Sequence, residues 1–458
     1  MSDLPLGWIE TSIENVFATL SDGRTLHQGW SPQCEKEPSK ADNDWGVLKT
    51  TAIQDGFYLP EQNKRLPNNL DPRPLIEVHE GDILITCAGP RARCGISCLV
   101  PKTRPRLMMS GKMYRFRVPE DQVDPRYVSF YLKTTAARLA IDRMKTGISD
   151  SGLNLTHDRF RRLRVPIAPH EEQMRIVAAI DEHFSRLDAG MAVLETVRQD
   201  LHRMRAASHR QMYDAALSVS QPRRLWEICE FIVDGDHNPP KRTCDGVPYL
   251  TAKHVKTGRI STDGSSFISQ EDFALLRRRY DPRKGDVLVT CVGTLGEVAV
   301  VPEGLVFAAD RNLAAMRPSA QVSPLFLEAV LRSPSLQKML TAGSGSTAQP
   351  HLYLRDLRQL QVPIPALDMQ ELLVASLSEQ LAYADRLEVD IKVALARGER
   401  LRVCILAAAF SGKLVRQDGS EEPASILLKR IAEEQASSKN RTSARSRKAR
   451  IPVEKAIV

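Results

Sequence analysis

"GDILITCAG" at residues 81–89 returns as "GDVLVTCVG" at residues 285–293, 204 residues later. Six of the nine positions are identical, and the other three exchange one small or branched apolar residue for another. Each run is short, rich in branched residues and bounded by glycine, which is how a fully buried strand reads. A buried strand written twice in a chain of 458 residues marks a duplicated unit, and a repeat sets the architecture before any local feature does.

Working outward from the strand, the duplication holds. Upstream, "IENVFATLSDG" (13–23) lines up with "LWEICEFIVDG" (225–235) at an offset of 212. Downstream, "RRLRVPIAPHEEQ" (161–173) lines up with "RQLQVPIPALDMQ" (358–370) at an offset of 197. The order is the same and the offset falls steadily, so the chain is two copies of one whole domain, the first with longer loops. The length alone calls for two or three domains.

Each copy divides into two parts. The first is strand-like, with short runs at 45–50 and 249–252 and dense turn punctuation such as "LPNNLDPRP" (66–74) and "TDGSS" (262–266). Helical stretches at 124–144 and 323–340 interrupt it, so the expected class is mixed α/β, of the α+β kind, with domains at 1–168 and 222–366. The second part is one long helix, expected at 169–217 and again at 367–412. Ile180, Leu187, Leu194 and Leu201 recur every seven residues, joined by Phe184 and Met191. Leu377, Ala384 and Ile391 do the same, joined by Leu381 and Leu395. These are a/d seams. A helix roughly 70 Å long with one apolar stripe must bury it, and the expected partner is the other copy's helix, in an antiparallel coiled coil. Prolines 166, 169, 363 and 365 set up the helix starts, and Gly412 reads as the cap closing the second. Residues 413–458 are expected to hold a last short helix and a basic tail, with six Lys/Arg and no acid in 439–450.

Composition is that of an ordinary globular chain, with 42% hydrophobic and 26% charged residues and a net charge of +8. The excess is compatible with nucleic acid without proving it. No stretch approaches the ~20 apolar residues of a membrane helix, and "MSDLPLGWIE" (1–10) has no signal-peptide core. A cytoplasmic protein with no membrane partner follows, its eight cysteines reduced. Cys87, Cys94 and Cys98 are spaced C-x6-C-x3-C with no matching histidine pair, which does not close a four-ligand zinc site. No metal site is expected, and Cys87 and Cys291 read as small buried hydrophobes.

Two variable domains, each followed by a long helix introduced by "VPIAPHEEQ" (165–173) or "VPIPALDMQ" (362–370), resemble the specificity subunit of type I restriction-modification systems. "GWSPQC" (29–34), "DGDHNPPK" (234–241), "SGSTAQPHL" (344–352) and "AAAFSGKL" (407–414) are similarly typical, and the resemblance covers about residues 5 to 430. It implies a non-catalytic, DNA-binding subunit. Each domain would read one half of a split double-stranded DNA target, and the paired helices would fix the gap between halves. The seam residues Ile180, Leu187, Leu194, Leu201, Leu377, Ala384 and Ile391 would mark the helical platform for two modification (methyltransferase) subunits and, through them, the restriction (translocase/nuclease) subunits. No cofactor is expected on this chain; S-adenosylmethionine, ATP and Mg would belong to the partner subunits. Because the copies differ outside the scaffold, the target should be asymmetric.

Two rival readings stand beside this one. "NPPK" (238–241) nearly matches the motif of amino-methyltransferases, which would make the chain a stand-alone adenine-specific DNA methyltransferase. Lys241 stands where that motif stacks an aromatic ring, and no glycine-rich cofactor loop precedes it. "GKL" (412–414) lacks the upstream glycine and following hydroxyl of a phosphate loop, and "GSGST" (343–347) lacks a third glycine in register. The other rival is a coiled-coil scaffold that does not touch DNA. For DNA contacts, base edges call for Arg, Lys, Asn or Gln and phosphates for cations and small polar groups. In the first copy the candidates are Ser31, Gln33, Arg91, Arg93, Lys102, Arg104 and Arg106. In the second they are His237, Lys241, Arg242, Lys253, His254, Lys256, Arg277, Arg278 and Arg279. The divergence just past the repeated strand, "PRARCG" (90–95) against "TLGEVA" (294–299), is where two different readings are expected.

Overall fold

The computed structural model describes residues 4–256, 258–342 and 351–448. It divides into two compact units, one of Met1–Met191 with Ala396–Val458 and one of Ala192–Leu395. The division falls inside both long helices, His170–Val219 and Leu367–Ala409.

The repeated strand is central in each unit. In the first, Ile83–Thr86 lies between Met113–Phe116 and Ser97–Leu99 in a four-stranded antiparallel sheet edged by His27–Gln28. In the second, Val287–Thr290 lies between Leu313–Pro318 and Val298–Val300, edged by Cys229–Asp234. Alternate residues serve two different cores. Ile83 and Ile85 pack with the helices Pro125–Leu132 and Thr135–Met144, while Leu84 packs with Val47 and Met108 of a second, three-stranded sheet. Val287 and Val289 likewise share a core with Phe326, Val330 and Leu331, while Leu288 shares one with Leu250 and Phe307. A strand covered on both faces must be apolar throughout, which explains the unbroken hydrophobic run. The three-stranded sheets match as well: Gly46–Leu48 pairs parallel with Leu107–Met108, and Val247–Leu250 pairs parallel with Ala308–Ala309.

The stretch expected to be helical at 124–144 is two helices, broken at Lys133 and Thr134. Thr134 caps the second, its hydroxyl accepting from Ala137 N at 3.1 Å. The second copy breaks at the same place, between Pro324–Leu331 and Pro334–Ala342.

The long helices pack together and run antiparallel. Within the second unit Leu201, Ala384 and Ile391 are buried against one another, flanked by Leu194, Met204, Leu387 and Leu395. Arg205 crosses to Asp385 at 2.7 Å and Glu388 at 2.6 Å. Within the first unit Gly398 faces Met191, where a Cβ would lie 3.0 Å from Sδ, and Arg402 pairs with Asp188 and stacks over Phe184. Ile180 and Leu377 belong to the cores of their own domains, and Leu187 is half-buried. Gly412, at φ +69°, ends the second helix as a left-handed cap. Lys413 N donates to Ala408 O at 2.8 Å and Gly412 N to Ala409 O at 3.2 Å, the two bonds of a Schellman motif.

Each helix is bolted to its domain by the glutamine that ends the repeated motif. Gln173 is fully buried; its Oε1 accepts from Asp124 N at 3.1 Å and its Nε2 donates to Ala168 O at 2.9 Å. Gln370 does the same with Ser323 N at 2.8 Å and Pro365 O at 2.8 Å. Asp124 and Ser323 are the N-cap residues of the domain helices, so one amide side chain fixes two helix starts at once.

The C-terminal helix is longer than the short one expected: it spans Ala424–Lys448, and Ala424, Leu427 and Ile431 are buried in the first domain's core. The last part of the basic tail, 449–458, and most of the glycine- and serine-rich stretch, 343–350, lie outside the described residues.

Candidate nucleic-acid interface

The scaffold that carries variable side chains is built alike in both domains. Asp82 and Asp286, the second residue of each repeat, are buried. Asp82 accepts from Arg117 Nε at 2.6 Å and His79 N at 2.7 Å. Asp286 accepts from Arg317 Nε at 2.8 Å and Arg283 N at 2.9 Å. They brace the turn into the strand and are not free acids.

At the other end of the strand, a threonine pins the loop that follows. Thr86 Oγ1 accepts from Ile96 N at 3.0 Å and donates to Arg93 O. Thr290 Oγ1 accepts from Glu297 N at 2.9 Å and donates to Thr294 O. Gly95 and Gly296, both at positive φ, close the loops by donating to the same threonines' carbonyls at 2.7 and 3.0 Å. The ends of each loop are therefore fixed while its middle is free to differ in sequence and length. Cys87 and Cys291 are buried beside these threonines, and burial pushes both thiols up to about 12. Cys94 and Cys98 are buried too, and among the described residues no group of His, Cys, Asp or Glu could hold a metal ion.

A glycine presses the next segment onto the sheet. A Cβ on Gly29 would lie 2.2 Å from Ser110 O, and one on Gly235 would lie 2.2 Å from Ala309 O. Gly29 N donates to Met113 O at 3.2 Å and Gly235 N to Leu313 O at 3.1 Å. "GWSPQC" and "GDHNPPK" thus leave the sheet at the same place. Around that exit gather the threonine loop and the segments before Met113 and Leu313. A segment returning to Cys87 or Cys291 completes the site: Leu155 N donates to Cys87 O at 2.8 Å, and Leu352 N to Cys291 O at 2.9 Å.

In the second domain these parts form a cleft of about 500 Å³ whose polar lining includes Asp234, His237, Arg311, Asn312, His351 and Tyr353. His237 Nε2 lies 2.7 Å from Asp234 Oδ2, and Arg279 pairs with the same carboxylate. Burial would raise Asp234, but the hydrogen bonds from Arg279 and His237 outweigh it and hold the carboxyl below its usual range. Tyr353 is exposed, with its ring 4.6 Å from that of His351. In the first domain the matching positions carry Gln28, Ser31, Lys112 and Asn154. Gln28 Nε2 donates to Gly111 O at 2.7 Å, Ser31 Oγ accepts from Gly111 N at 3.0 Å, and Lys112 and Asn154 are exposed.

The other sequence candidates fall in several places. Gln33 is exposed beyond Ser31, and Lys241 is exposed beyond His237. Arg242 lies over the Tyr249 ring, 3.7 Å from its centroid. Arg91 pairs with Asp142 at 2.7 Å and Asp150 at 3.1 Å. Arg93 turns inward and donates to Thr50 O, Ile53 O and Gln54 Oε1, holding a turn of the chain. Arg104 is likewise spent on Ser39, Ala41 and Asp44, and Arg106, at φ +62°, reaches Asn43 O. Lys102 and Lys256 are exposed, and Lys253 donates to Gly264 O at 3.1 Å. His254 is buried; its Nδ1 accepts from Thr251 N at 2.8 Å, and burial lowers its pKa. Arg277 pairs with Asp281 at 2.7 Å, and Arg278 is exposed. Arg311, Asn312, His351, Tyr353, Gln28, Lys112 and Asn154 are not among the sequence candidates. Aligning the strands Met113–Phe116 and Leu313–Pro318 matches Lys112 with Asn312, and the sequence signal for that alignment is the Pro-x-x-Gln-Val-x-Pro shared at 119–125 and 318–324, at the far end of the strands.

Comparison with known proteins agrees with this duplication. The model of the type I restriction modification DNA specificity domain matches twice, at residues 35–194 and 220–396. The EcoEI specificity subunit of Escherichia coli is 38% identical over 197 residues, 43% of this chain and 32% of that relative's length. The EcoBI specificity subunit of the same species is 27% identical over 377 residues, 74% of this chain and 78% of the relative. A chain solved in a study of complex assembly and conformational transition of the type I R-M system superposes with a TM-score of 0.63 at 21% identity, covering 90% of this chain and 99% of that one. With both of its domains matched over most of their length, the chain belongs to the type I restriction-modification DNA specificity family.

Proposed function

We propose that the chain reads an asymmetric, bipartite double-stranded DNA target, one half per domain, and scaffolds the modification and restriction subunits of its complex. One observation carries this reading. The two domains share a backbone scaffold down to matched hydrogen bonds, yet present different side chains at the same exit from the sheet. Gln28, Ser31, Lys112 and Asn154 in one, and His237, Arg311, Asn312, His351 and Tyr353 in the other, are groups that suit base edges and phosphates. Different readers on one scaffold call for a non-palindromic target.

The seam of the long helices is consumed inside the chain, so partners are left the outward faces. These carry exposed Val193 and Val197 on one helix and Tyr383, Val389 and Val393 on the other, a platform suited to protein partners. The chain contributes no chemistry of its own; S-adenosylmethionine, ATP and Mg are assigned to the partner subunits. No helix among the described residues is long and apolar enough to cross a membrane.

The test is methylome sequencing of a host that carries this chain with its modification subunit. One split, asymmetric methylated motif, lost when either protein is deleted, is the expected result. Methylation by the purified chain alone would support the enzyme reading instead, and absence of any motif would favour a scaffold that does not touch DNA.

A further inference from the structure

The two domains are covered differently on one face. In the first, the chain's own C-terminal segment occupies it. Ala424 N donates to Gly7 O at 2.9 Å, Gln435 Nε2 donates to Phe17 O at 2.7 Å and to Glu14 O at 3.4 Å, and Arg175 pairs with Glu421. His170 lines the same seam with Glu421, Leu427 and Arg430. Gly7, Glu14, His170 and Arg175 thus mark the covered face.

The repeat offsets give their counterparts in the second domain: Val219 and Trp226 at 212, Leu367 and Leu372 at 197. All four are large apolar residues, and they stand 57%, 50%, 44% and 64% exposed respectively. Where the covered domain shows a glycine, an acid, a histidine and an arginine, the second shows four apolar side chains. Exposed apolar patches of this kind mark interaction sites.

Resting on the function proposed above, we infer that this face of the second domain is a docking site for an amphipathic helix of the modification subunit. The seated segment in the first domain shows what fits: a helix entered through a proline, Pro423, with apolar residues at Ala424, Leu427 and Ile431. The occupant differs from that segment at one point. Glu421 meets Arg175 in the first domain, and the same acid against Leu372 would be a carboxylate desolvated without a partner. A second copy's C-terminal segment is therefore a poor match, and the partner's helix carries an apolar residue there. The two halves of the chain are then unequal platforms, one blocked by the chain itself and one open.

The experiment is hydroxyl-radical footprinting of the full chain, alone and assembled with its modification subunit. It is paired with binding measurements on the double variant Trp226→Ser and Leu372→Arg. Oxidation of Trp226 and Leu372 should fall several-fold on assembly. The double variant should bind the modification subunit at least tenfold more weakly while its melting temperature stays unchanged. If a complex forms and methylates its target with both residues still reactive and the variant binding normally, the docking inference is overturned and the DNA-reading function stands. Protection that depends only on the concentration of the chain itself would assign the face to a second copy and overturn it too. Failure of any complex to form would overturn the function and this inference together.

Discussion

Gly29 and Gly235 show why certain residues recur while their neighbours drift. Each packs its Cα against backbone carbonyls, which no side-chain adjustment can relieve. Gly235→Ala should cost about 2 kcal/mol through overpacking, seen as a lower urea midpoint, with recognition of one half-site lost. The cations next to the cleft separate into two kinds. Arg93→Ala removes three internal hydrogen bonds and should lower the stability of the first domain, with weaker DNA binding only as a consequence. Arg311→Ala should leave the melting temperature unchanged and weaken DNA binding by the assembled complex. If Arg311 contacts a phosphate, the salt slope should fall by about 1 for all sequences; if a base, about 1–3 kcal/mol should be lost at one position. At this scale the sequence is a poor guide. Charge alone cannot separate Arg93 and Arg104, which hold loops together, from Lys112 and Arg311, which stay exposed at the exit from the sheet. That distinction depends on distant carbonyls brought near by the fold.

The long helices are the most legible elements, because an apolar residue at every seventh position over some six turns reads as a coiled-coil seam and as little else. Of the positions the spacing selects, Leu201, Ala384 and Ile391 are buried in the seam with Leu194 beside them, while Ile180 and Leu377 are buried in their own domains' cores and Leu187 is half-buried. Leu201→Ala should destabilise the helix pair by about 2–4 kcal/mol, measured by chemical unfolding. The sequence does not show that Gly398 and Arg402 take seam positions, because the pattern there is broken by residues whose partners, Met191 and Asp188, lie on the other helix. Nor does it single out the buried His209. Its Nδ1 lies 3.0 Å from Ala329 O, and burial, helped by Arg332, pushes its pKa down to about 4. The unfolded chain takes up this proton near ~6.5. Stability is therefore full above about pH 6.5 and falls as pH drops toward 4, by up to about 3 kcal/mol. Unfolding midpoints at about pH 7.5 and about pH 5 should differ in that direction, and His209→Asn should shrink the difference.

For the whole molecule, the duplication is legible from three short motifs, because those motifs are the working parts of the scaffold. The aspartate and threonine of "GDILITC" fix the two ends of a strand. The glutamine of "VPIAPHEEQ" joins domain to helix. The asymmetry between copies is harder to read, since the covering helix Ala424–Lys448 lies after both repeats and belongs in space to the first. The central claim is that each domain reads its half of the target independently of the other. The most direct measurement exchanges residues 222–366 for the matching part of a relative with a different target and maps methylation in the host. One half of the methylated motif should change and the other half remain. A change in both halves, or in neither, would contradict the account.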